Sequence, residues 1–81
     1  MRVVKEIPGE RYNITIYSWN NKLLIKVEQG AFEQTYKISE MDLLPGVDLS
    51  EVVMENSFLE KVEGRFKEME ADFNQLIGDY V

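Results

Sequence analysis

The chain has 81 residues and a mass of 9.5 kDa, and its 9 basic against 15 acidic residues give a formal net charge of -6. It contains neither Cys nor His, which excludes disulfides, His or Cys metal sites, and catalysis by a Cys–His or Ser–His pair. The length fits one domain spanning residues 1–81, and 44% hydrophobic residues are enough for a small core.

The first predicted elements are two strands joined by a tight turn. In residues 11–19 and 22–28, aliphatic side chains recur at every second position, which is the period of a half-buried strand. Asn20 and Asn21 separate them, and Asn accepts positive φ more readily than most residues, so a two-residue hairpin turn is predicted. The aliphatic cross-strand pairs then share one face: Ile16 with Ile25, and Ile14 with Val27. A slip by one residue would destroy that agreement.

Further strands are predicted on either side of this hairpin. A third strand covers residues 32–38, with Val27 paired to Phe32. It adds Phe32, Tyr36 and Ile38 to the inner, helix-facing side of the sheet. Gln34 is the exception among the residues that this strand adds to that side. Residues 3–7 are a candidate fourth strand that ends at a Pro-Gly turn.

The connector, residues 39–56, is open to two interpretations. Pro45-Gly46 is a turn signal. After it, Asp48 would cap a short helix, because Leu49 and Val53 share a helical face. A short strand is the alternative, because Val47, Leu49 and Val53 also alternate.

A long helix is predicted over about residues 58–77. Ser57 and Glu60 have the spacing of a capping box, and Gly78 is a candidate left-handed residue after the last turn. Apolar residues recur at alternating spacings of three and four: Leu59, Val62, Phe66, Met69, Phe73, Leu76 and Tyr80. This pattern indicates one continuous apolar seam along the helix.

Together these elements predict an α+β fold, a three- or four-stranded antiparallel β-meander over about residues 3–38 with the C-terminal amphipathic helix packed across one face. The same seam fits a coiled-coil dimer. Bulky Phe66 and Phe73 favour packing on the sheet, and a dimer in which two helices meet stays an alternative.

Charge is distributed unevenly between the two halves. Residues 1–40 contain six basic and five acidic side chains, whereas residues 41–81 contain three basic and ten acidic ones. The acidity therefore belongs to the helical half. Such asymmetry is typical of a partner-binding face, and also of a helix whose charge only keeps it soluble.

The outer sheet face is the candidate partner-binding site. Its predicted members are Tyr17, Trp19, Lys22, Leu24 and Lys26, with Arg11 and Lys37 nearby. Aromatic and basic side chains on a sheet would suit a protein contact or single-stranded nucleic acid. Cross-strand pairing that only stabilises the hairpin explains the same residues.

No residue pattern predicts catalysis, a metal site or a cofactor. Glu68 and Asp72 share a helix face, but neither a Glu-x-x-His pair nor an EF-hand loop is present. The first residues lack the apolar stretch of a secretory signal, so we expect a cytoplasmic protein with no membrane segment. We expect a small non-catalytic domain that acts through protein–protein contacts, with a homodimer as one form. The alternative is a ligand- or single-stranded nucleic-acid-binding module that uses the outer sheet face.

Overall fold

Four strands fill the first half of the chain in a computed structural model that describes all 81 residues. They are β1 (Arg2–Ile7), β2 (Asn13–Trp19), β3 (Lys22–Gln29) and β4 (Phe32–Ser39). Each strand pairs antiparallel with its neighbours in sequence, in the order β1-β2-β3-β4. The β-meander is therefore confirmed in its four-stranded form, and the candidate strand at residues 3–7 lies within β1.

The β2–β3 hairpin has the predicted turn and register. Asn20 and Asn21 both have positive φ, 50° and 60°, as the central residues of a type I′ turn require. Its cross-strand pairs match the prediction: Ile16 with Ile25, and Ile14 with Val27.

The β3–β4 hairpin differs from the prediction by two residues. Gln29, rather than Val27, pairs with Phe32, and Val27 lies opposite Gln34. A two-residue turn with Gly30 at φ 59° joins the strands. Because a slip of two residues leaves every side chain on its original face, the predicted inner face is unaffected.

A β-bulge interrupts the pairing of β1 with β2. Val3 pairs with Tyr17 and Lys5 with Ile16, so Val4 has no partner of its own. A bulge bends an edge strand and increases its local twist. The bulge therefore lies on β1, one of the two edge strands of the sheet.

The connector contains a 3₁₀ turn (Glu40–Asp42) and a short helix, α1 (Leu49–Val52). Gly46, at φ 83°, completes the Pro-Gly turn. Asp48 caps α1 by accepting from the backbone N–H of Ser50 at 3.0 Å and from its hydroxyl at 2.6 Å. Of the two predictions for this segment, the short helix is confirmed and the strand is wrong.

The long helix, α2, spans Asn56–Ile77. Its N-cap is Glu55, and Ser57 donates its hydroxyl to the Glu55 carboxylate at 3.1 Å, so the predicted Ser57 capping box is wrong. Gly78 has φ -55° and continues the right-handed backbone, so the predicted left-handed residue is also wrong. The helix thus begins two residues before the predicted start and ends at the predicted residue.

The core lies between the inner sheet face and the two helices, as the predicted α+β arrangement requires. Its buried members come from β2, β3 and the helical half: Ile14, Ile16, Ile25, Val27, Val53, Val62 and Phe66. Both Val62 and Phe66 lie on the α2 seam. The first half of that seam therefore packs on the sheet of the same chain.

Candidate interaction surfaces

Three contacts with β4 fix the course of α2 over the sheet. The Phe58 ring packs edge-on against Tyr36 with centroids 5.4 Å apart, and Phe73 packs against Phe32 at 5.7 Å. Between them, the Gln34 amide donates to the Val62 carbonyl oxygen at 3.0 Å. The helix therefore runs opposite to β4 and leaves the sheet where β4 begins.

Beyond Phe73 the apolar seam continues without a sheet beneath it. We call Phe73, Leu76, Ile77 and Tyr80 the distal helix surface. Three of these side chains are exposed: Phe73 by 43%, Leu76 by 68% and Tyr80 by 84%. A 22-residue helix is about 33 Å long, whereas the 8-residue β4 is about 26 Å long. The helix accordingly extends past the sheet and carries apolar side chains into solvent.

The distal half of α2 is also strongly acidic. Four carboxylates between residue 68 and residue 79 form no salt bridge: Glu68, Glu70, Asp72 and Asp79. The last turn of the helix has no basic residue. Because the C-terminal end of a helix already carries partial negative charge, acids there add to it. The distal helix surface is thus apolar with an acidic surround.

The strand register places all five predicted partner-binding residues on one outer face. Tyr17 lies directly opposite Leu24, and Trp19 opposite Lys22. Trp19 is 47% exposed, whereas Leu24 is buried despite lying on the uncovered side of the sheet. Trp19 and Lys22 are therefore the accessible residues of this face, whereas neighbouring side chains cover Leu24.

Lys26 is tied to acids of its own sheet. Its ammonium lies 3.4 Å from the Glu33 carboxylate and 3.9 Å from that of Glu28. The hydrogen bond to Glu33, followed by the charges of Glu28 and Glu33, raises the pKa of Lys26 above its ordinary value. Its charge is therefore largely balanced within the molecule.

Arg11 does not join the outer face, which corrects the prediction. Its guanidinium pairs with the Glu63 carboxylate of α2, on the helix side of the sheet. That hydrogen bond and the Glu63 charge raise the pKa of Arg11. Arg11 joins the two layers of the fold instead.

The two ends of the outer face differ in charge. Toward the β2–β3 turn lie Lys22 and Lys37, neither of which forms a salt bridge. The acids of this face occupy the other end: Glu6, Glu28 and Glu33. We call the end near the turn the basic sheet patch, and it consists of Tyr17, Trp19, Lys22, Leu24 and Lys37. This patch contains aromatic and basic residues and no acid.

The shape of the protein is extended. The radius of gyration is 14.6 Å and the longest axis 49 Å, against a radius of about 12 Å for a compact domain of this length. The accessible surface is 6237 Å², whereas a compact monomer of this mass exposes about 5,000 Å². The molecule thus exposes roughly 1,200 Å² more surface than a compact monomer of the same mass.

The distal helix surface was absent from the predicted site. The signal for it lies in the sequence, because seven apolar seam positions span 22 residues, from Leu59 to Tyr80, beside strands of at most eight residues. Comparing those lengths would have shown that the seam outruns the sheet.

None of the helices combines the length and the apolar character that a membrane span requires. No three acidic side chains gather in an arrangement that would hold a metal ion. Comparison of the chain with protein-family models, with curated proteins and with solved structures yields no match.

Proposed function

We propose that this protein is a non-catalytic cytoplasmic domain that acts through protein–protein contacts and associates with itself, a homodimer being the simplest form. The observation that carries the proposal is the exposure of Leu76 and Tyr80 on a seam whose earlier members Val62 and Phe66 are fully buried. Contiguous exposed apolar surface of this kind is typical of interaction sites.

The extended shape supports the same proposal. Only 8 of 81 residues are buried, which is a small core for a chain with neither disulfides nor His or Cys metal sites. Small domains commonly add buried area by association. The roughly 1,200 Å² of surplus surface exceeds the roughly 800 Å² that each partner gives up in an interface of standard size.

Light-scattering chromatography over a wide range of protein concentration tests this function. We expect the mass to rise above the 9.5 kDa of a single chain as the concentration increases. The variant L76Q/Y80Q should stay at the monomer mass with an unchanged circular dichroism spectrum. Gln75→Ala, on the opposite side of the helix, is the matched control and should associate as the wild type does. A wild type that stays monomeric at every concentration would overturn self-association.

Binding of single-stranded nucleic acid by the basic sheet patch is the second candidate. The half-exposed Trp19 ring beside Lys22 favours it, because aromatic rings stack on bases and lysines pair with phosphates. An NMR titration with an oligonucleotide tests it. Shifts at Trp19, Lys22 and Lys37 that fade with added salt would support nucleic-acid binding, and an unperturbed spectrum would end it.

A further inference from the structure

We propose that the distal helix surface of one copy docks on the basic sheet patch of a second copy. The contact therefore joins two different surfaces of the same chain. This inference rests on the proposed self-association and specifies the residues that form it.

The chemistry of the helix side defines what it would bind. Phe73 and Leu76 lie three residues apart on α2, and Tyr80 follows four residues later in the turn after Ile77. Spacings of three and four residues are how an amphipathic helix presents anchors to a groove or face. Glu70 and Asp72 flank this apolar stripe on either side, and neither has an ion-pair partner in its own chain. A complementary surface would be apolar at its centre and basic around it.

The basic sheet patch has that composition. Trp19 and Tyr17 supply the aromatic area, and Lys22 and Lys37 supply two charges that are unpaired within the chain. Tyr and Trp are enriched in interface cores because they bury a large area with few rotatable bonds. Opposite charges around an apolar contact add specificity and speed of encounter.

Pairing of two distal helix surfaces with each other is disfavoured by the same charges. It would bring Glu70 and Asp72 of one copy toward their equivalents in the other, and only Lys67 is basic in this part of α2. Like charges that face each other across an interface oppose association. The helix therefore finds better electrostatic complementarity on the sheet than on another helix.

A contact between two different surfaces has a consequence for assembly. Each docked pair leaves one distal helix surface and one basic sheet patch free. Such head-to-tail contacts grow into longer assemblies unless their geometry closes a ring. The fold exposes roughly 1,200 Å² more surface than a compact monomer of its mass. That area exceeds the roughly 800 Å² that one partner buries in an interface of standard size.

Mixing two complementary variants tests the contact. K22E/K37E alters the patch and keeps the helix, whereas L76Q/Y80Q alters the helix and keeps the patch. Each variant alone should be monomeric, because its one intact surface has no partner. The equimolar mixture should form a complex of about twice 9.5 kDa and no larger species, since only one docking contact remains.

The control variants distinguish the proposed docking contact from self-association through other surfaces. Lys61→Glu changes an exposed lysine of α2 outside both surfaces and should leave association unchanged. The quadruple variant K22E/K37E/E70K/D72K reverses the charges of both surfaces in one chain and should associate again, whereas K22E/K37E alone should not. Circular dichroism of every variant should match that of the wild type.

Each result decides the proposal. If the wild type associates but the mixture stays monomeric, or if K22E/K37E associates as strongly as the wild type, the docking contact is wrong and self-association stands. If the wild type does not associate, both proposals fail. Association should also weaken as salt rises, because the Debye length falls from about 10 Å at 0.1 M to about 3 Å at 1 M. An association that strengthens with salt would show an apolar contact without the proposed charge pairing.

Discussion

The side-chain amide of Gln34 donates a hydrogen bond to the backbone carbonyl oxygen of Val62, and this 3.0 Å contact joins β4 to α2 across the two layers. The Gln34 side-chain oxygen accepts from the Tyr36 hydroxyl at 2.6 Å, and that hydroxyl in turn accepts from Arg65 at 3.4 Å. The one polar residue among the apolar positions of β4 therefore has both ends of its amide paired. It fixes where the helix lies along the strand.

Gln34→Ala should lower the free energy of unfolding by about 1–2 kcal/mol, because it removes two partly buried hydrogen bonds. Urea denaturation at low protein concentration measures the change. Thr35→Ala, an exposed neighbour on the other face of β4, is the control and should change stability by less than about 0.5 kcal/mol. Equal effects of the two substitutions would show that the Gln34 contacts contribute nothing.

Two phenylalanines of the α2 seam should differ in their contribution to the fold. Phe66 is fully buried, so Phe66→Ala should cost about 3–5 kcal/mol, whereas Phe73→Ala should cost about 1–2 kcal/mol because its ring is partly in water. Phe66→Leu gives a milder measurement if the alanine variant does not fold. Denaturant titration under monomeric conditions separates these values, and equal costs would contradict the division of the seam into a buried and an exposed half.

The β2–β3 turn offers a test of backbone conformation. Asn21 has φ 60°, a conformation that costs most residues about 1–2 kcal/mol. Asn21→Ala should therefore destabilise the protein by about 1 kcal/mol, whereas Asn21→Gly should be neutral or stabilising, since Asn-Gly is a preferred type I′ pair. Thermal unfolding of the two variants distinguishes these outcomes, and losses of the same size in both would argue against the type I′ turn.

The cap of α1 predicts a pH dependence. The Ser50 hydroxyl and then its backbone N–H hold the pKa of Asp48 below its ordinary value. A lowered pKa in the folded state means that this contribution is complete above the unfolded value, about pH 3.9, and is lost as the pH falls through the folded value. Asp48→Asn, which caps without titrating, should therefore lose less stability than the wild type on acidification.

Ser50→Ala is the matched variant for that experiment, because it removes the hydroxyl donor and leaves the backbone donor. Removing the hydroxyl donor brings the folded pKa of Asp48 closer to its unfolded value, so the acid-induced loss of stability should be smaller than in the wild type and should be complete at a higher pH. Unfolding titrations from neutral to acidic pH provide the comparison. Identical acid profiles for the wild type, Asp48→Asn and Ser50→Ala would contradict the proposed role of the carboxylate.

The alternation of apolar residues was sufficient to predict the sheet but not every register within it. In the β2–β3 hairpin, the turn length and the pairing of Ile16 with Ile25 supported each other. In the β3–β4 hairpin, pairing Phe32 with Val27 or with Gln29 buries the same faces, so the hydrophobic pattern does not distinguish them. The feature that favours the observed two-residue turn over the longer predicted loop is Gly30, which adopts the positive φ of this turn.

The start of α2 and both of its predicted caps were wrong for a related reason. A Ser and a Glu three residues apart occur both in capping boxes and inside helices, and Ser57 and Glu60 lie inside α2, which begins at Asn56. The exposure of the distal helix surface depends on where the sheet ends beneath the helix. The periodicity of the apolar residues carries no information about that position. The outer-face residues were placed together correctly because strand register determines them, whereas Arg11 precedes β2 and follows no register.

The strand order of the sheet has a consequence for how the protein folds. Every strand pairs with its neighbours in sequence, and the β2–β3 and β3–β4 turns contain only two residues each, so closing these hairpins has a small entropic cost. Sequence-local pairing of this kind favours rapid folding. During synthesis the four strands precede α2, and the inner face of the sheet stays open to water until Val62 and Phe66 have been added. Completion of the core is therefore the step that awaits the synthesis of α2.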